Sequence, residues 1–113
     1  MKGKRVILEM GSGNDLHGGD YTKAAVRAVE NAIHHSSLTF IRSLGVDPEA
    51  MQVEVTIGVQ QPERVDTAVV KAVLPHGRVT VKVVKGGLEI ANDAGTNSTV
   101  IANAAAVVRL DLP

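Results

Sequence analysis

Within EMGSGNDLHGG, residues 9–19, an acid and an imidazole stand two positions apart, Asp15 and His17. In extended backbone, alternate residues point to the same side. The carboxylate could then orient the ring and stabilise its charge, making the pair a candidate general acid or base. Gly11, Gly13 and Gly18 flank the pair, and backbone N–H groups near them suit a carboxylate or carbonyl oxygen. Ser12 adds a hydroxyl, and Lys23 follows in what reads as the first turn of a helix, within reach of a bound anion. His35 and Asn103 are further candidate ligand contacts. A structural alternative stands beside each reading. Asp15 can satisfy turn amides, His17 can pack on another subunit, and Asn103 can bridge strands or subunits.

Other chemistries fit less well. Glu9, Asp15, His17 and His34 (or His35) would suit zinc or manganese, but no HxxxH or HExxH spacing supports a site. A divalent metal is thus an option, and no other cofactor is expected. Gly11-x-Gly13 after a strand is the start of a dinucleotide turn, yet the third glycine position holds Leu16. No Gly-Lys-Ser/Thr follows, which excludes a P-loop. His34, His35 and Ser36 are adjacent, and neighbours on a helix diverge by about 100°, so they do not form a nucleophilic dyad.

The elements around these residues follow from periodicity. Residues 4–10 form an apolar strand covered on both faces, and residues 11–19 a glycine loop. Asp20 caps a helix with Ala25, Val26, Ala28, Val29, Ala32 and Ile33 inward, resuming through Leu38–Leu44 after a bend near Ser36. Met51, Val53, Val55, Ile57 and Val59 alternate with polar residues and define a half-buried strand. Pro62 opens a second helix running to Val73, with Val65, Ala68, Val69, Ala72 and Val73 inward and Pro75-His76-Gly77 ending it. Strands over 78–84, 88–90 and 99–112 complete the chain, the last with Val100, Ala102, Ala104, Ala106, Val108 and Leu110 on one face.

This order implies one domain, residues 1–113, of α+β class. A mixed four- to five-stranded sheet in β-α-β-α-β-β order carries two helices on one face. The other face exposes Ile101, Val107 and several alanines among Gln, Glu, Thr and Lys, which predicts a homo-oligomer. Only Tyr21 and Phe40 are aromatic, so the core is built from Val, Ala, Ile and Leu. Twelve basic and twelve acidic residues cancel, and basic-aromatic patches are absent, which excludes nucleic acid as an expected partner. The first apolar run is too short for a signal peptide or membrane span, and there is no cysteine. A cytoplasmic protein with no membrane partner is expected.

The motif at Gly11, Gly13, Asp15, His17 and Gly18 resembles a conserved family of bacterial and plant proteins defined by Gly-x-Gly-x-Asp-x-His-Gly. The segments 22–28 and 101–105 and the His-Ser pair near residue 35 match it too. That resemblance implies positions and no activity. The element order also resembles the Bacillus chorismate mutase-like fold, shared by reactive-intermediate deaminases. It implies a trimer, or a multiple of one, with clefts between subunits. Together these readings predict a small-molecule site between subunits, built on residues 11–18. The expected ligand is a small polar compound and the expected activity a hydrolase or deaminase type. The alternative is a non-catalytic assembly or ligand-sensing protein whose glycine segment is structural.

Overall fold

The computed structural model describes residues 3–16, 18–34, 45, 47, 50–74 and 77–110. The elements run β1 (Lys4–Asp15), α1 (Tyr21–His34), β2 (Gln52–Val59), a 3-10 turn (Pro62–Arg64), α2 (Thr67–Ala72), β3 (Arg78–Lys85), β4 (Leu88–Ala91) and β5 (Ser98–Leu110). Among the described residues the fold is α+β with a mixed five-stranded sheet and two helices, as the periodicity predicts. Strand order is β1-β5-β2-β3, with β4 also paired to β5. β5 is antiparallel to β1, β2 and β4, while β2 and β3 are parallel.

The alternations read from the sequence set which side of each strand is buried. Val53, Val55, Ile57 and Val59 of β2 and Val100, Ala102, Ala104, Ala106 and Val108 of β5 are buried together. α1 packs on β1, β5 and β2 and touches α2, which packs on β3, so both helices cover this side. The opposite side carries Leu8, Met10, Ser12 and Asn14 from β1 beside Val107, Ala105, Asn103 and Ile101 from β5. Asn103 is exposed there, between Ser12 and Gly58, and does not interrupt the buried face. Arg109 on the same side donates to Glu54 Oε1 across the sheet at 2.9 Å.

Among the described residues β1 is covered on one face and not on both, with Leu8 and Met10 46% and 70% exposed, and two further expectations need correction. Residues 11–15 are strand, not loop, because Gly11 and Gly13 occupy the inward phase that Ile7 and Glu9 begin. A Cβ on Gly13 would lie 2.6 Å from the Ala24 carbonyl oxygen and closer still to Ala28 N. One on Gly11 would lie 2.6 Å from the Ala28 oxygen and closer to Ala32 N. The glycines therefore admit the backbone of α1 against the backbone of β1. The second correction concerns residues 61–73, where one expected helix is two segments. Asp66 takes an extended conformation and its side chain accepts from Ala68 N and Val69 N, restarting the helix. The restart shifts the phase, so Val70 is buried while Val69 is 46% exposed. The expected continuation over 36–44, the expected helix stop at 75–76 and the end of the last strand at 111–112 lie outside the described residues.

No helix among the described residues is long and apolar enough to cross a membrane. Gly13→Ala is expected to destabilise by about 3 kcal/mol, the upper range for overpacking a close contact, because the helix must move off the strand. Gly95→Ala, with nothing within 4 Å of its added Cβ, should cost only about 1 kcal/mol through its positive φ. Urea denaturation of both variants measures the difference.

Candidate functional site

Where β1 ends, the chain must turn into the start of α1, and it does so over Leu16–Asp20. Gly18 and Gly19 have φ of +90° and +59°, a backbone state that glycine adopts without steric cost. Asp20 then caps α1, its Oδ1 accepting from Lys23 N at 3.0 Å. Asp15, the last residue of β1, is 4% exposed. Its Oδ2 accepts from Asp20 N at 2.9 Å, and Lys23 Nζ lies 3.7 Å from its Oδ1. A carboxylate at this end of a helix is favourably placed toward the N-terminal partial charge. Asp15 thus supplies from within the chain the anion that the sequence reading assigned to a ligand.

The β4–β5 hairpin forms the other wall of this corner. Asn97 Oδ1 accepts from Gly18 N at 2.5 Å and from Ser98 N at 2.9 Å. Thr99 Oγ1 donates to the Leu16 carbonyl at 3.2 Å. Asn92 closes the loop on itself, accepting from Thr96 N and Asn97 N. Ser98 Oγ donates to Glu89 Oε2 at 2.9 Å. Between the walls lies a depression of about 380 Å³ lined by Leu16, Ile90, Ala91, Asn92, Asn97, Ser98 and Thr99. Among the described residues, no ionisable side chain is in this lining. Leu16 and Ile90 are 57% and 58% exposed and form its apolar rim.

The predicted residues separate into three groups. Asp15, Gly18 and Lys23 meet in this corner. Gly11 and Gly13 face α1, while Ser12 and Asn103 sit opposite each other on the uncovered side of the sheet. Glu9 is half-buried on the helix side opposite Ala106, and His34 is exposed at the end of α1. His17 and His35 lie outside the described residues. Among the described residues, no three His, Asp or Glu side chains gather closely enough to hold a metal.

Several contributors were not singled out from sequence. Asn92, Asn97, Ser98 and Thr99 read only as a polar loop and the start of a strand. Their Asn-x-x-Gly spacing, typical of a side-chain-closed turn, was the available signal. Asn31 Oδ1 accepts from Ser12 N at 3.0 Å, and Arg27 Nη1 donates to the Asn14 carbonyl at 2.7 Å. Tyr21 is buried under the Arg64 guanidinium, 4.6 Å from the ring centroid, and its hydroxyl has no hydrogen-bond partner among the described residues.

A family model described as a conserved hypothetical protein, Lin0512_fam, matches residues 5–108. Among solved structures, the chain is similar to the crystal structure of an FtsZ-like protein of unknown function from Nostoc punctiforme PCC 73102. The two share 40% sequence identity over 99% of each chain, with a TM-score of 0.87. A search of curated proteins finds no match. The chain belongs to the Lin0512 family.

Asp15→Ala should lower the unfolding free energy by about 2 kcal/mol, because it strips the acceptor from a part-buried N–H. Lys23→Ala should change it by less than about 1 kcal/mol, since its side chain is largely solvated. Chemical denaturation of the two variants tests whether the carboxylate serves mainly the fold.

Proposed function

We propose that this member of the Lin0512 family binds a small, neutral, carbonyl-bearing molecule in the depression between the end of β1 and the β4–β5 hairpin. The observation that carries this reading is the character of the lining. Amides and hydroxyls from Asn92, Asn97, Ser98 and Thr99 face apolar surface from Leu16, Ile90 and Ala91, with no charged side chain among the described lining residues. Such a mixture suits a compact compound with an apolar body and few polar atoms, and the volume falls in the range of ligand sites.

The hydrogen bonds already made narrow the class. The oxygen of the Asn97 amide is occupied by two backbone donors, whereas its NH₂ has no partner among the described residues. That group asks for an acceptor. The Thr99 and Ser98 hydroxyls each spend their proton within the protein, leaving lone pairs to accept. A ligand carrying a carbonyl beside an N–H, such as a small amide or lactam, answers both demands.

Binding is favoured here over hydrolase or deaminase chemistry because of Asp15. Its carboxylate is buried and bonded to Asp20 N and Lys23, whereas proton transfer requires a group within reach of the reacting atoms.

Asn97→Asp separates ligand contact from fold, because it keeps the oxygen that accepts from Gly18 and Ser98 while removing the NH₂. In a thermal-shift and calorimetric screen of small amides and lactams, at least one compound should raise the melting temperature of the wild type. Its affinity should fall about tenfold or more in Asn97→Asp, the cost of one hydrogen bond. Leu16→Arg, which fills the mouth, should abolish binding. Absence of any stabilising compound, or affinity unchanged in both variants, would refute the reading.

A further inference from the structure

The outer edge of β1 is protected along only part of its length. In an antiparallel ladder, both polar groups of a residue point to one side, and the side alternates along the strand. Ser12 N bonds to Asn31 of α1, so it faces away from β5. The Asn14 carbonyl, bonded to Arg27, faces the same way. By alternation the backbone groups of Met10 and Leu8 also point outward. Among the described residues, no side chain reaches them. The apolar side chains cluster on this uncovered stretch: Val6, Leu8 and Met10 are 38%, 46% and 70% exposed. Exposed edges are usually blunted by charge, a bulge or a cover. Here α1 supplies a cover at 12–14, and an irregularity between Arg5 and Ile7 ends the regular ladder on the other side.

We propose that this edge pairs with the same edge of a second copy, antiparallel and centred on Leu8, joining two sheets into one. A second copy fits because Leu8 and Met10 offer a hydrogen-bonding row and Val6, Leu8 and Met10 an apolar strip, each matching itself under two-fold rotation. The chain's net charge of zero sets up no repulsion between copies. Electrostatics and the existing caps select the register. Centring on Glu9 would place two carboxylates opposite each other, which is destabilising. Centring on Met10 would oppose Leu8 to Ser12, whose N–H is already taken by Asn31. Centring on Leu8 brings Leu8 against Leu8, within the regular part of the strand. The product is a two-fold pair, unlike the trimer implied by the fold resemblance. It does not depend on the ligand reading, because the depression lies at the far end of β1.

The absence of cysteine makes the register directly readable. Leu8→Cys, Glu9→Cys and Met10→Cys each introduce one thiol on β1. Under mild oxidation Leu8→Cys should form a covalent dimer of twice the 11.8 kDa chain mass. Directly opposed residues of an antiparallel pair lie about 5.5 Å apart, within disulfide reach. Glu9→Cys and Met10→Cys should link at least about tenfold more slowly, being offset by roughly 7 Å or more along the strands. Light scattering should give the wild type the dimer mass, and Leu8→Lys the monomer mass with an unchanged circular dichroism spectrum. A monomeric wild type, an unlinked Leu8→Cys, or faster linking at Glu9 or Met10 would overturn the proposal.

Discussion

The contact between the backbone of α1 and the backbone of β1 is the constraint on which the rest of the molecule depends. Gly13 faces the turn from Ala24 to Ala28, and Gly11 the turn from Ala28 to Ala32. With no side chain between them, helix and strand approach more closely than ordinary residues allow. Dispersion over that contact is strong because many atoms meet at short range. The alanines at 24, 25, 28 and 32 are fully buried for the same reason. Close approach also lets short side chains do what longer ones would do elsewhere. Asn31 and Arg27 reach over the strand to its outer edge, and Asp15 meets the first turn of the helix.

From that docking follows the electrostatic character of the corner. A helix start carries unsatisfied N–H groups and partial positive charge. Asp15 and Asp20 answer both from within the chain, one accepting from Asp20 N and the other capping at Lys23 N. Among the described residues, the depression beside them is lined by neutral amides, hydroxyls and apolar side chains. Acid and base side chains lie behind its wall and shape the turn that carries Leu16 and Gly18.

Much of the frame was legible in the sequence because burial follows period. The alternation from Met51 to Val59, and the two faces of the final strand, appear as read. Glycine was the point of failure. A residue without a side chain registers in a pattern as neither apolar nor polar. Gly11 and Gly13 therefore read as a loop, although they hold the inward positions of a strand. At the second helix a hydrogen bond from the Asp66 side chain outweighed continuous periodicity. The corner was half legible. Asp15, Gly18 and Lys23 are close in sequence and meet in space, but Asn97 lies 79 positions from Gly18. No local pattern joins residues so far apart; only the pairing of β5 with β1 does.

The position of β5 has a consequence for how the chain is made. It follows β1 to β4 along the chain, yet it lies between the first strand and the second in the sheet. On the ribosome β1 and β2 emerge without the neighbour they share, and Lys4 waits for Leu110. Its pairings span nearly the whole chain, and such long-range closure is slow. The nascent chain must hold an incomplete sheet until β5 has emerged, and exposed apolar strands are a passing hazard of synthesis.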